Sequence, residues 1–263
     1  MRSTIRIATA TLAVALALAS FLAPAAGAQG VEFSVGLSPE RLGSGTTMEF
    51  SVRIPTPGGH ATSPLKAMDL SYPANLGIIT SGLGLRACPI ATLEESGRTA
   101  CPPDALMGYG TVGVQIPDGL GAISETGNVT IWMGPEQEGH LQLLFYANAQ
   151  NPVIAQLLFA GEILEGSAPY GGNLATQIPE IPNFPGAPPP AVVSLNASIG
   201  PKDVVYARRI HGSTIHYTPK GLRLPDRCPR GGFPFAATFI FLDGTSATDR
   251  TAVPCPAKSG VKR

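Results

Sequence analysis

Cys88, Cys101, Cys228 and Cys255 carry the most distinctive chemistry in this chain. An even number of cysteines behind an export signal favours disulfides over thiol chemistry. Three pairings are possible. Cys88–Cys101 with Cys228–Cys255 is preferred because each bond closes a short local loop, stabilising the fold by about 3 to 4 kcal/mol in chain-entropy terms. Each cysteine is followed by proline, at Pro89, Pro102, Pro229 and Pro256. Proline drives the residue before it into extended geometry. The cysteines are therefore expected on strands or strand ends rather than at a helix N-terminus. That argues against a thioredoxin-like pair, which needs C-x-x-C and a helix dipole to lower a thiol pKa. A four-cysteine zinc site is disfavoured too, because no pair has two to four intervening residues.

The remaining reactive residues form no recognised set. There is no G-x-S-x-G elbow, no S-x-x-K set, no H-E-x-x-H, no P-loop and no dinucleotide fingerprint in a β-α-β setting. The histidines are His60, His140, His211 and His216. On a regular strand His211 and His216 point to opposite faces unless a bulge at Gly212 intervenes, so surface positions near a turn are expected. Glu136, Glu138, Asp243 and Asp249 fall in expected loops. Asp243-Gly244 reads as a hairpin turn rather than a calcium loop. Trp132 stands alone, so no aromatic platform for sugars is evident, and the phenylalanines fall on alternating apolar faces. Two sequons, at Asn128 and Asn196, lie in expected strands. No metal and no cofactor are expected.

The elements that must hold these residues are β-strands. Arg2 and Arg6, the apolar run over residues 7–22 and Ala26-Gly27-Ala28 make a cleavable signal peptide of residues 1–28 rather than a retained anchor. No later stretch is long and apolar enough for a transmembrane helix. The 18 Lys and Arg residues fall to 16 once Arg2 and Arg6 are removed, against 18 Asp and Glu, which gives nucleic acid no basic footprint. With 31 Gly and 26 Pro the chain is poor helix material, yet 44% hydrophobic residues are enough to build a core. Period-2 alternation runs through Phe33, Val35 and Leu37, then Met48, Phe50, Val52 and Ile54, then Met68, Leu70 and Tyr72. Further strands are expected over residues 110–116, 128–133 and 141–147. A hairpin pairs 235–241 with 251–253 across Asp243-Gly244-Thr245. Residues 90–96 suit one helical turn, and 153–164 reads as strand. Residues 170–190, with Pro179, Pro182, Pro185 and Pro188-Pro189-Pro190, make either a long crossing loop or a boundary between two lobes, and their missing N–H groups bar them from central strands. Residues 257–263, with Lys258, Lys262 and Arg263, read as a solvated tail.

Tyr72-Pro73-Ala74-Asn75-Leu76, Cys88-Pro89 and Cys101-Pro102 resemble phrases in exported actinobacterial β-rich proteins with paired Cys-Pro motifs. So does the run from Pro219-Lys220-Gly221-Leu222 through Cys228-Pro229 and Gly231-Gly232-Phe233 to Cys255-Pro256. The resemblance covers two patches of the chain. It implies secretion and a β fold and names no activity. The echo between Gly82-Leu83-Gly84-Leu85 and Gly221-Leu222-Arg223-Leu224 is either chance or the trace of two related β units.

The expectation is an all-β, sandwich-like antiparallel domain over residues 29–256, with two local disulfides and either one lobe or two. The expected role is a secreted or cell-surface, non-enzymatic protein that binds a cell-envelope polymer or a surface protein. The alternative is a secreted hydrolase acting on carbohydrate through a loop-built pair of carboxylates, a chemistry that needs two carboxyl groups a few ångströms apart.

Overall fold

The computed structural model describes residues 30–59, 63–78, 86–118, 121–150, 154–183, 186–200, 206–217 and 221–256. The segments expected as signal peptide and solvated tail, His60, residues 82–85 and Pro219-Lys220 lie outside them.

The apolar and polar residues alternate as strands demand, and they become β1 (Glu32–Ser38), β2 (Gly45–Arg53), β3 (Leu65–Pro73), β4 (Gly77–Ile78), β5 (Leu106–Pro117), β6 (Ala122–Met133), β7 (Gln142–Ala149), β8 (Ala155–Glu165), β9 (Tyr170–Gln177), β10 (Ala191–Ile199), β11 (Tyr206–Ile210), β12 (Ser213–Tyr217), β13 (Leu222–Arg223), β14 (Phe233–Phe241) and β15 (Ser246–Val253). One helix, α1 (Ile90–Ser96), sits between β4 and β5. Thirteen strands form one antiparallel sheet in the order β15-β14-β3-β9-β8-β7-β6-β5-β10-β2-β13-β4, with β1 on the other edge of β2. The pair β11 and β12 makes a separate hairpin.

The all-β antiparallel class is as expected. The faces that pack on one another belong to a single sheet curled nearly into a barrel. Its first and last long strands meet: β1 lies beside β15, and the Phe33 amide donates to Asp249 Oδ2 at 2.9 Å. Directions alternate along the whole path, so β1 and β15 run parallel where they meet. A side chain, not a main-chain ladder, receives this hydrogen bond.

Each long strand of the thirteen-stranded sheet presents one face to the interior. On β14 the inward row is Phe233, Phe235, Ala237, Phe239 and Phe241, all buried. Outside the patch covered by α1 many outward positions are polar: Ser34, Glu49, Ser51, Asn196, Thr111, Thr126 and Arg250 are examples. No helix among the described residues is long and apolar enough to cross a membrane.

The two ends of the barrel differ. At one end β4 and β13 pair at the start of β2, and Leu76, Ile199, Leu222 and Leu224 plug the interior. Two backbones cross there at Gly200 and Gly221, so closely that a Cβ on Gly221 would collide with Gly200 Cα. At the other end β2, β5, β7, β9 and β14 finish and the connections to β3, β6, β8, β10 and β15 start.

A second apolar cluster lies outside the barrel wall. Cys88, Leu93 of α1, Cys101, Ala105 and Leu106 pack on the outward side chains Trp132, Leu144 and Tyr146. The Cys88–Cys101 disulfide ties this cap together, and Cys228–Cys255 joins the segment before β14 to the segment after β15. The pairing is the expected one, but the placement is corrected: no cysteine lies within a strand. Cys88 is two residues before α1, Cys101 follows a 3₁₀ turn, Cys228 is in a loop, and Cys255 is two residues past β15. The extended geometry imposed by proline holds, with Cys101 at φ −71° and ψ 144°, but extended backbone need not pair.

The proline-rich stretch divides. Residues 170–177 contain no proline and form β9, a central strand bonded to β3 and β8, contrary to the reading that barred the whole stretch from the sheet. The prolines begin after it. Residues 178–190 then cross to β10, with four strands between β9 and β10 in the sheet order.

Candidate functional site

The inward side chains shrink toward the end bearing these long connections. Along β6, read toward that end, they run Met133, Ile131, Val129, Gly127, Glu125. Along β7 they run Leu143, Phe145, Ala147, Ala149. Small residues cannot fill a barrel interior, so a space remains: a cavity of about 300 Å³. Its walls are Val112, Val114 and Ile116 of β5, Gly127 and Val129 of β6, Ala147 of β7, Leu157 and Phe159 of β8, and Val192 and Leu195 of β10. Several of these point inward yet are only part-buried, because they face this space. Phe145 and Phe159 stack across the β7–β8 pair, ring centres 5.1 Å apart and planes 10° from parallel. Gly127 matters to the space itself: a Cβ there would project to 3.2 Å from Val112 Cγ1.

The crossing segment roofs the cavity. Ile178, Ile181, Pro182, Asn183 and Pro190 all line it. Irregular backbone against an apolar space is costly because each N–H wants a partner. Prolines remove that donor, which explains the composition. Asn183 is held by its own segment, with Nδ2 donating to the Pro188 carbonyl at 2.6 Å. At the rim Ile154 is 82% exposed.

Besides Asn148 and Asn183, one charged residue breaks the apolar rule. Glu125 occupies an inward position of β6 opposite Val114 and is only 5% exposed. Its Oε1 accepts no hydrogen bond. Burying such an atom unpaired costs about 1 to 3 kcal/mol.

The residues singled out in the sequence lie elsewhere. Glu136, Glu138 and His140 are exposed in the tight β6–β7 turn, where Gln137 and His140 exchange backbone bonds. Asp243 closes the β14–β15 turn; hydrogen bonds from the Thr245 hydroxyl and amide hold its carboxyl below the usual range. Asp249 accepts the Phe33 and Arg250 amides. His211 forms the β11–β12 turn with Gly212, both at positive φ, as a two-residue hairpin requires, while His216 sits on β12 opposite Ala207. Trp132 is buried under the α1 cap, and its Nε1 donates to Thr130 Oγ1 at 2.9 Å. Asn128 and Asn196 are exposed on strands, as expected. Among the described residues no group of three or more His, Cys, Asp or Glu is placed to hold a metal ion.

Glu125 and the cavity were missed. The signal was a carboxylate in the inward phase of an alternating strand, and it was lost by starting that strand at residue 128. Among the described residues the cavity lining carries this one carboxylate, where glycoside cleavage in the usual manner needs two. Comparison with protein-family models, with curated proteins and with solved structures finds no match for this chain.

Proposed function

We propose that this chain is an exported, non-enzymatic binding protein that holds one apolar molecule of the cell envelope in the mouth of its barrel. The observation that carries the reading is the cavity of about 300 Å³, walled by valine, alanine, leucine and phenylalanine and roofed by the proline-rich crossing. That volume stands at the small end of ligand sites and suits a single acyl chain or a small ring system rather than a multi-chain lipid. Mouths of small β-barrels are a usual place for such ligands. The two disulfides and the polar outer wall fit a barrel that works in water outside the cytoplasm.

The test uses the neutral apolar fluorophore N-phenyl-1-naphthylamine. The purified protein is expected to bind it saturably at one site. Ala147→Phe, which drives a ring into the cavity, is expected to weaken binding at least tenfold while far-ultraviolet dichroism stays unchanged. Organic extraction of protein repurified from isolated envelope is expected to yield an apolar molecule of matching stoichiometry. Equal binding by wild type and Ala147→Phe, with nothing extracted, overturns the reading.

A further inference from the structure

Three polar residues, Glu125, Asn148 and Asn183, stand among the apolar lining, and Glu125 is the one with a bare buried oxygen, which selects the ligand's head. Glu125 lies at the level of Val112, Val114 and Gly127, inside the wall formed by β5 and β6. It is nineteen-twentieths buried, and Oε1 has no partner. The neighbouring β5 glutamine does not supply one: Gln115 alternates with Val114 and Ile116 and faces the other way. Asn183 is committed to the Pro188 carbonyl. An ionised carboxylate only accepts hydrogen bonds, at both of its oxygens. What is missing from the site is therefore a donor.

We propose that Glu125 anchors the head group of the bound molecule, and that the ligand is a slender amphiphile whose head donates a hydrogen bond, an alcohol or an ammonium, rather than an ester, a ketone or a carboxylate. This rests on the cavity reading above and adds the ligand's polarity to it. An apolar tail gains by burial along β7 and β8, and the donor removes the cost of the bare oxygen. A carboxylate head would place acceptor against acceptor. An ester offers no donor and leaves Oε1 as it is. Selection between heads comes from the unmet partner, since a site built around a buried polar atom rejects ligands that leave it unpaired.

The experiment displaces N-phenyl-1-naphthylamine from the purified protein with four probes of one chain length: decylamine, 1-decanol, methyl decanoate and decanoate. Wild type is expected to bind the amine and the alcohol at least tenfold more tightly than the ester and the carboxylate. Glu125→Gln keeps an acceptor without charge, so the alcohol should hold while the amine loses its advantage. Glu125→Leu should bring alcohol, amine and ester to within about twofold of one another. The amine-against-alcohol order in wild type decides between the two head groups. If wild type binds all four alike, or if Glu125→Leu leaves the order intact, the head-group assignment fails while fluorophore binding keeps the cavity reading alive. If the fluorophore itself does not bind, the cavity reading fails first. Melting curves separate loss of selectivity from loss of fold, and Glu125→Leu is expected to melt no lower than wild type.

Discussion

Replacing Cys88 and Cys101 together by alanine is expected to lower the unfolding free energy by about 3 kcal/mol and to shift Trp132 emission to the red, while fluorophore binding in the cavity survives. The bond closes a loop of 13 residues, and the chain-entropy relation assigns such a loop about 3 kcal/mol. The location of the loop adds the optical signature. Cys88 is 0% and Cys101 5% exposed, and with Leu93 they cover Trp132, which is 5% exposed. Trp132 is the single tryptophan of the chain, so its emission reports this cap alone. A seven-residue helix has little stability of its own in water, and α1 has no side-chain hydrogen bond at its N-cap. Without the cross-link it should leave the wall and expose the indole. The cavity lies on the inner side of that wall, away from the cap, so binding should persist. Cys228–Cys255 is the control. Its loop of 27 residues predicts a similar loss of about 3.5 kcal/mol, but it lies away from Trp132, so the native emission should not move. Urea titration followed by fluorescence measures both quantities. An unshifted native spectrum in the Cys88/Cys101 variant would show that the cap holds without its disulfide.

The strands were legible where the inward residues are large and the outward ones polar, because a period of two is then plain. Met48-Phe50-Val52 in β2 and Phe235-Phe239-Phe241 in β14 are such cases. So is the Asp243-Gly244 turn, where local chemistry determines local geometry. Residues 153–164 carry apolar residues at both helical and strand spacings; the strand reading is the one that holds, and β8 runs over Ala155–Glu165. β9 was hidden because YGGNLATQ has few large inward side chains and runs into prolines. Its core position depends on neighbours: Tyr72 packs over Gly172, where a Cβ would strike the ring, and the Thr176 hydroxyl donates to the Met68 carbonyl at 2.5 Å. Such partners are distant in the chain and leave no mark in a window of eight residues. Strand order was hidden for a related reason, since periodicity says which face is buried and not which edges meet. The cavity is the hardest feature to read. It is the joint result of small side chains on several strands, and each Ala, Gly or Val is unremarkable alone. Glu125 was the readable trace, a charged residue where the pattern calls for an apolar one.

Phe239→Ala is expected to cost about 3 to 5 kcal/mol of stability, and Phe159→Ala less than half of that, although both rings point into the same barrel. Phe239 is 0% exposed in the middle of β14, whose inward row packs against the residues of β1, β3 and β15. Removing its ring leaves a hole that a closed sheet cannot collapse, because hydrogen bonds to β3 and β15 fix the strand on both sides. Phe159 stands on β8 at the edge of the cavity and is only part-buried. Part of what its ring would lose on truncation is already absent in the folded state. The main loss is the stack with Phe145, worth about 0.5 to 1.5 kcal/mol beyond area. The vacated ring volume joins the existing space, so Phe159→Ala should also admit bulkier apolar probes that wild type excludes. Denaturant curves on the two variants, with m-values compared to confirm a like transition, give the ratio of costs. Equal costs would mean that the interior is packed uniformly and that the mouth of the barrel is closed in solution. A clear inequality, with the larger probe accepted only by Phe159→Ala, would follow from the size gradient along β6 and β7: large side chains hold the barrel shut at one end, and small ones keep it open at the other.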